Sequence, residues 1–500
     1  MKNRFLAIAL AVLTLVAPAC GDIDNDDTTN SADAITLTVT PDTIVFDTIG
    51  GDKSVVVATN ADEWDYVNAT SWLAVSADGN LLRLIATPYD GTENLKGEVV
   101  VTAHKDGKTA TKSIKVEQVA AGNSSSGGNL DFECPVFKQT ILDYFDQNGD
   151  GVLSAEEAAR VTDLSLTYEE NGEYDRITSL KGIKNFVNLK NLDCDFNAIT
   201  ELDLSGMEKL EYVDCSNNSI TELNLNNCPN LKWIYAYSNN ITTMHIAGCE
   251  KILFLQAYKN QIKSIDVSGL QELVYLDLRF NALTEAKFSN CPKLQVAALG
   301  DNRLISLELK GLPELYTLGC YSNNITSLDV SELQKLEMLE CYNNNIASLD
   351  LSKNAKLMTL TCQNNLISLL NIEGCSSLKK LDCANNRLSG SLDTSAYPAL
   401  YYLHCGGNGL SAVTVNSNTE LTDLACENTN ITSLQISALA KLVSLVANDC
   451  QLTELDASNN LKLEKLYLQG NPLTKLILAE GQNISDLKLD NHDVIVRKTE

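Results

Sequence analysis

The sequence predicts a mainly β fold in which a small β-sandwich precedes a long solenoid of about 14 rungs. Two observations support this prediction. Apolar residues and an asparagine recur with a period of 21 residues over most of positions 161–500, and short alternating apolar runs separated by turn signals fill positions 34–120. A period of this length is typical of a structure in which each rung adds one strand to a parallel sheet on a concave face, because no rung can bury its apolar side alone.

The first 33 residues predict export rather than a folded element. Lys2 and Arg4 precede an apolar run that ends in small residues before Cys20. This arrangement predicts a signal peptide over 1–19, with an apolar run too short for an ordinary membrane span. Cys20 at the cleavage point resembles a lipobox, which implies lipidation of Cys20, although ordinary secretory cleavage also fits. The acidic residues of the tether, 20–33, resemble the surface-export signal of Bacteroides-type lipoproteins, and a plain flexible tether is the alternative.

Residues 34–120 predict a small β-sandwich. Alternating apolar runs lie at 35–39, 54–57, 81–85, 98–101 and 113–116, with turn signals such as Asp106-Gly107 between them. Trp64, Trp72 and the closing stretch 116–118 make this segment resemble a BACON domain, which implies carbohydrate binding or a spacer role. Core packing of both tryptophans is the simpler interpretation. A Gly- and Ser-rich linker follows at 121–131.

Residues 132–160 predict a calcium loop that caps the repeats. A short helical pattern leads into a loop with oxygen-bearing groups at the spacing of an EF-hand: Asp146, Asn148, Asp150, the carbonyl of Val152, Ser154 and Glu157. Calcium prefers six to eight oxygen ligands, and this spacing can supply them. Only one such loop is visible in the sequence. We therefore expect one structural calcium ion rather than a sensor.

The repeats at 161–500 are built around a recurring asparagine. One rung carries Leu189, Leu192, Cys194, Asn197 and Ile199, and the next repeats this spacing 21 residues later. The asparagine position returns at Asn218, Asn239, Asn260, Asn281, Asn302, Asn323, Asn344, Asn365, Asn386, Asn408 and Asn471, with Thr429 and Cys450 in two late rungs. This is the leucine-rich-repeat pattern, and its spacing is similar to internalin-type repeats. The inward asparagine is expected to satisfy backbone groups at the bend.

Most of the 15 cysteines occupy two columns of the repeat. Eight fall at a core strand position, namely Cys194, Cys215, Cys320, Cys341, Cys362, Cys383, Cys405 and Cys426, and four at a turn position, namely Cys228, Cys249, Cys291 and Cys375. Side chains in register on neighbouring parallel strands lie about 4.8 Å apart, whereas a disulfide needs Cβ atoms about 3.8 Å apart. We therefore expect free, buried thiols that act as small hydrophobic residues.

Aromatic residues cluster on the face of the sheet that points away from the core. Tyr212, Trp233, Phe254 and Tyr275 precede the first core position in four successive rungs, Tyr235 lies between two core positions, and Tyr237 and Tyr258 follow the second. Such a row favours a ligand-binding surface. The alternative is that aromatic residues simply pair across neighbouring strands. Acidic residues expected on the same face are Asp193, Asp214, Asp277, Glu340 and Asp382.

The chemistry of the chain favours binding over catalysis. The formal charge of −27 at pH 7 argues against nucleic acid and against adhesion to an anionic membrane by the protein itself. The sequence has only four histidines and lacks phosphate-loop and nucleophile-elbow patterns. Asp193 and Asp214 could form a glycosidase pair, but acidic decoration explains them more simply. The sequence thus predicts a non-enzymatic cell-surface lipoprotein that binds an extracellular protein. A glycan-binding protein and a purely structural surface protein are the alternatives.

Overall fold

The computed structural model describes residues 35–46, 50–89, 91–120, 130, 132–168 and 175–498. The chain forms two compact units, one from residues 1–131 with 146–155 and the other from 132–145 with 156–500. The predicted signal peptide, Cys20, the acidic tether and most of the linker lie outside the described residues. No helix within the described ranges is long and apolar enough to cross a membrane.

The described residues of the first unit form eight strands in two four-stranded sheets. The strands are β1 (Leu37–Thr40), β2 (Thr43–Phe46), β3 (Gly51–Thr59), β4 (Glu63–Asn68), β5 (Leu73–Asp78), β6 (Leu81–Ala86), β7 (Leu95–Lys105) and β8 (Lys108–Gln118). The sheet orders are β1-β3-β6-β5 and β2-β8-β7-β4. Inward residues of both sheets form one core, against which Trp64 and Trp72 are partly buried. The five predicted strands are present, and β2, β4 and β5 are additional.

Within the part of the chain that the structure describes, two α-helices precede the repeats: α1 (Pro135–Phe145) and α2 (Ala155–Arg160). Within the second unit, the buried ring of Phe137 meets Phe132 edge-on at 5.2 Å, and Phe132 lies 6.4 Å from Phe186 of the first rungs. Asn188 Nδ2 donates to the carbonyl of Ala159 at 2.8 Å. Apolar residues before the calcium loop therefore cover the open end of the solenoid core, as a terminal repeat requires.

The solenoid has one parallel sheet of 16 strands, and we call the outward side of this sheet the concave face. The strands are β9 (Asp163–Ser165), β10 (Asn191–Asp193), β12 (Tyr212–Asp214), β14 (Trp233–Tyr235), β16 (Phe254–Gln256), β18 (Tyr275–Asp277), β20 (Val296–Ala298), β21 (Thr317–Gly319), β22 (Met338–Glu340), β24 (Thr359–Thr361), β26 (Lys380–Asp382), β28 (Tyr402–His404), β30 (Asp423–Ala425), β31 (Ser444–Val446), β33 (Lys465–Tyr467) and β35 (Asp486–Lys488). The predicted solenoid is confirmed. The sheet exceeds 14 strands because the incomplete first rung and the C-terminal segment each add one.

Short strands also form on the opposite side of the rungs. They are β11 (Glu201–Asp203), β13 (Glu222–Asn224), β15 (Thr243–His245), β17 (Ser264–Asp266), β19 (Glu285–Lys287), β23 (Ser348–Asp350), β25 (Leu369–Asn371), β27 (Ser389–Asp393), β29 (Gly409–Thr414), β32 (Glu454–Asp456), β34 (Lys475–Ala479) and β36 (Ile495–Lys498). The register of β27 with β29 shifts between Gly390 and Ser391. This irregularity lies in the one rung that is 22 residues long.

The asparagine column supplies the hydrogen bonds that the bend cannot make with a regular ladder. Asn344 Nδ2 donates to the carbonyls of Cys320, Cys341 and Tyr342, and Asn344 Oδ1 accepts from the Ile325 N–H at 2.9 Å. The residue before the asparagine has a positive φ in most rungs, including 55° at Phe280, where the conformation is unfavourable for a bulky side chain. The asparagine contacts hold this turn in place.

All 14 cysteines of the described residues are free and buried, as expected. The turn column does more than fill space, because its thiols also donate hydrogen bonds. Cys228 Sγ lies 3.2 Å from the Leu204 carbonyl, and Cys249 Sγ lies 3.0 Å from the Leu225 carbonyl. Asn354 takes the same column in a later rung and donates to the Val330 carbonyl at 3.0 Å. A cysteine there is thus a small hydrogen-bond donor as well as an apolar residue.

Candidate functional site on the concave face

Each concave strand except the last, β35, buries its middle residue, and all of them direct their first and third residues away from the core. In β14, Ile234 is fully buried, while Trp233 and Tyr235 are half-buried. The seven aromatic residues singled out from the sequence are all half-buried on this face: Tyr212, Trp233, Tyr235, Tyr237, Phe254, Tyr258 and Tyr275. They lie on four neighbouring strands and the residues that follow them, so they form one continuous patch, which we call the aromatic surface.

Neighbouring rings of the aromatic surface contact each other. Phe254 and Tyr275 stack with centroids 5.8 Å apart, and Tyr212 meets Tyr235 at 5.6 Å with planes inclined by 45°. Lys232 Nζ lies 5.6 Å from the Trp233 ring centre. These contacts hold the side chains against one another, which lowers the conformational entropy that a bound partner would have to remove.

The residues that follow the second core position of successive rungs stack into a column. The sequence predicted only part of this column. Tyr237 and Tyr258 are almost parallel, with centroids 4.7 Å apart, and the Arg279 guanidinium lies 5.9 Å from the Tyr258 ring centre. The next ring of the column is that of Tyr321, which fills the place that a side chain at Gly300 would occupy. Tyr321 then stacks on Tyr342 at 4.6 Å. The side chain missing at Gly300 is what lets the column continue.

Asp277 forms an ion pair within the protein rather than presenting a free carboxylate to a ligand. Its side chain is 2% exposed, and Arg279 donates to it from Nε at 2.9 Å and from Nη2 at 2.6 Å. The ion pair raises the pKa of Arg279 and orients its guanidinium toward the tyrosine column. The sequence predicted Asp277 as an acceptor on this face, but strand alternation shows only which face a residue occupies and not whether a neighbour covers it.

Asp193, Asp195 and Asp214 form a cluster of carboxylates beside the aromatic surface, in which one oxygen from each residue lies within 4.8 Å of the other two. Burial, together with the charges of Asp195 and Asp214, raises the pKa of Asp193 to about 7. Burial raises the pKa of Asp214 to about 6, although Ser216 Oγ donates to it at 2.6 Å. The sequence placed Asp193 and Asp214 on this face and missed Asp195, which lies beyond the end of its strand.

A second polar cluster lies further along the same face, around His404. Its Nε2 lies 2.8 Å from Glu427 Oε1, and its Nδ1 lies 3.6 Å from Asp382 Oδ2. The two carboxylates raise the pKa of His404 to about 9, against the opposing effect of burial. The imidazole is therefore a cation at pH 7, held between two acids. Sequence spacing gave no sign of this cluster, because its members come from three different rungs.

The calcium loop is organised by hydrogen bonds from its backbone to its own side chains. Asp146 accepts from the N–H groups of Gly149 and Gly151, each at 2.8 Å. Asn148 Oδ1 accepts from the Asp150 N–H, and Asp150 Oδ1 from the Val152 N–H. These bonds turn the carboxylate and amide groups toward the loop, and the set of oxygen donors is the chemistry that calcium prefers. Ser154 is half-buried, and Glu157 is buried in α2.

Comparison with solved structures shows which fold these features share. The functional domain of InlJ from Listeria monocytogenes, which includes a cysteine ladder, is 24% identical over 70% of this chain and 80% of its own, with a TM-score of 0.50. YopM, a leucine-rich effector protein from Yersinia pestis, is 20% identical over 71% of this chain and 92% of its own, with a TM-score of 0.53. The second unit is thus a leucine-rich-repeat solenoid. No family model matches the chain. No curated protein matches it either.

Proposed function

We propose that this chain is a non-enzymatic binding protein that recognises a protein partner outside the cell through its concave face. The observation that carries the proposal is the aromatic surface, which places seven half-buried rings on neighbouring strands of one open sheet face. Large, rigid aromatic side chains dominate the binding energy of many protein interfaces, because they bury much area at little cost in side-chain entropy.

Ring orientation favours a protein over a glycan as the ligand. Sugars stack on exposed ring faces, but Tyr237 and Tyr258 cover each other's faces at 4.7 Å, and Arg279 lies over Tyr258. The column therefore offers ring edges and hydroxyls, which suit the mixed polar and apolar surface of a protein. A glycan ligand and a structural surface role without a ligand are the alternatives that the experiment separates.

The proposal also includes the location of the protein and one bound calcium ion. The sequence around Cys20 supports lipidation of its thiol and display on the outer membrane, with free secretion as the alternative. The only membrane contact would then be the lipid anchor. One calcium ion bound by Asp146, Asn148, Asp150, Val152, Ser154 and Glu157 would stiffen the segment that leads into the repeats. The hydrogen bonds within the loop support this role, because they reduce the ordering that metal binding would require.

The test replaces Trp233, Tyr235 and Tyr258 together by alanine. We expect this variant to lose capture of a protein from a panel of purified mucus proteins while its circular dichroism stays unchanged. The matched control replaces Tyr401, Tyr402 and Tyr467, aromatic residues of later rungs, and should still capture the protein. Equal capture by both variants would refute the proposal. Binding on a glycan array that disappears with the first variant would establish the glycan alternative, and hydrolysis of a glycan that Asp214→Asn abolishes would establish an enzyme.

A further inference from the structure

The concave face from Asp193 to Tyr275 joins two kinds of chemistry on one surface. Asp193 pairs in register with Asp214, and Asp214 pairs with Tyr235, so two carboxylates and an aromatic ring follow one another across adjacent strands. Tyr212, on the same strand as Asp214, contacts the Tyr235 ring. The acidic cluster thus continues directly into the aromatic surface, and a ligand that covers one also meets the other.

The acidic end of this surface lacks a positive partner among the described residues. The charged groups that act on Asp193 are Asp195 and Asp214, both acids, and none of the ion pairs of the described residues includes these three carboxylates. Asp195 Oδ1 is buried and accepts no hydrogen bond. Most other buried acceptors in the solenoid are satisfied. This patch therefore has carboxylates without a counter-ion and a free acceptor at Asp195 Oδ1, which a cationic hydrogen-bond donor on a ligand would complement.

We infer that this surface binds an extended segment of the partner protein in which an arginine lies next to an apolar side chain. The inference rests on the proposed function and specifies the chemistry of its partner. A guanidinium has five donors for several carboxylate oxygens and a flat face that packs on aromatic rings such as Tyr212 and Tyr235. The apolar neighbour would lie on Trp233 and Phe254, one and two strands along. A bare metal ion would satisfy the carboxylates but would leave the adjoining rings uncovered.

Trp233 provides a reporter at the centre of this surface. The chain has three tryptophans, so Trp64→Phe with Trp72→Phe in the full chain leaves Trp233 as the single one. The probe is a short blocked peptide in which leucine alternates with arginine, and the control peptide has citrulline, the neutral analogue, in place of arginine. We expect the arginine peptide to change Trp233 fluorescence saturably. We expect the citrulline peptide to bind about tenfold more weakly or not at all.

Two variants locate the arginine contact. Asp193→Asn with Asp214→Asn should weaken binding of the arginine peptide by about tenfold or more, whereas Glu340→Gln, at a distant concave acid, should leave it unchanged. Because the asparagine changes relieve like-charge repulsion, the thermal midpoint of the variant should not fall. Equal affinity for the two peptides, or unchanged affinity of the asparagine variant, would overturn the inference. Saturable displacement of the peptide by manganese at constant ionic strength would also overturn it, by showing a metal site.

These outcomes are separable from those of the proposed function. If the aromatic variant loses capture of the partner but the asparagine variant does not, the concave face is the binding surface and the arginine contact is wrong. If the aromatic variant also retains capture, both the surface and the inference fail.

Discussion

Replacing Asn344 by alanine tests the physical basis of the whole repeat array. Its side chain accepts a hydrogen bond from the Ile325 N–H at 2.9 Å and donates to the Cys320 and Cys341 carbonyls at 3.0 and 3.1 Å. Each of those carbonyls also accepts from another asparagine: Cys320 from Asn323 at 3.1 Å and Cys341 from Asn365 at 3.0 Å. The carbonyls therefore keep a partner after the substitution, and only the Ile325 N–H loses the one it has.

The expected cost follows from this count. A buried N–H left without a partner costs about 1–3 kcal/mol, and the carbonyls of Cys320, Cys341 and Tyr342 each lose one of two bonds. The shortened side chain also leaves a small cavity in a fully buried region. We therefore expect a loss of stability of about 2–4 kcal/mol, which is large for a single polar residue.

The measurement should be local as well as global, because a long repeat array does not unfold as a single two-state unit. Hydrogen exchange at the Ile325 amide should accelerate by about 30-fold or more if the opening free energy falls by about 2 kcal/mol or more. Urea unfolding should shift in the same direction. The control is Asn345→Ala at an exposed position in the same turn, which should change stability by less than about 0.5 kcal/mol.

The reasoning would be refuted if Asn344→Ala and Asn345→Ala had the same stability and the Ile325 amide exchanged at its original rate. That result would mean that water or a shift of the turn replaces the asparagine without cost. The two rungs with Thr429 and Cys450 show a weaker natural arrangement, in which Thr429 Oγ1 donates to the Cys426 carbonyl at 2.8 Å. Thr429→Ala should therefore cost less than the change at Asn344.

Three further predictions concern the other sites. The pKa of His404 is raised from 6.5 to about 9, so the stabilising effect of its charged form is complete below pH 6.5 and disappears as the pH rises through 9. Thermal unfolding between pH 6 and pH 10 should show a loss of stability on the order of 1–3 kcal/mol in the wild type but not in His404→Gln. An equally steep loss in the variant would contradict this prediction. Calcium should raise the thermal midpoint of the wild type but not of the double variant Asp146→Asn, Glu157→Gln, whereas Asp143→Asn, just before the loop, should respond normally. A palmitate analogue should label the wild type in a bacterial host but not Cys20→Ser, and a wild type that is cleaved but unlabelled would indicate free secretion.

The sequence was sufficient to predict the solenoid because each rung repeats the same short sequence pattern. The period fixes which residues point inward, so Cys194, Asn344 and Trp233 could be assigned to the core, the bend and the concave face without coordinates. In the first unit, β4 was missed because its side chains alternate only between exposed and half-buried. Its sequence therefore carries little of the period-two signal on which strand prediction depends.

The sequence predicted which face of the sheet carries the candidate site, but not which side chains contact one another there. Alternation placed Asp277 outward, yet Arg279, two residues later, folds back to cover it. The reach of Tyr321 across Gly300 depends on a missing side chain 21 residues earlier, and His404 meets acids from both neighbouring rungs. Such contacts depend on the lengths and rotamers of side chains in other rungs, which a pattern of apolar positions does not encode.

Because the register between rungs is constant, the number of strands between two residues of the concave sheet fixes the distance between them. From β10 onward, each concave strand pairs with the residues 21 positions further along, except at the single rung of 22, so removing one complete unit would join equivalent positions and leave every remaining side chain with an equivalent neighbour. The strands of Asp193 and His404 are separated by ten spacings, about 48 Å along the sheet at about 4.8 Å each. Relatives that gain or lose whole units would change this distance in fixed steps, without altering either cluster. The number of repeats would therefore determine how long a partner must be to contact both the Asp193 cluster and the His404 cluster.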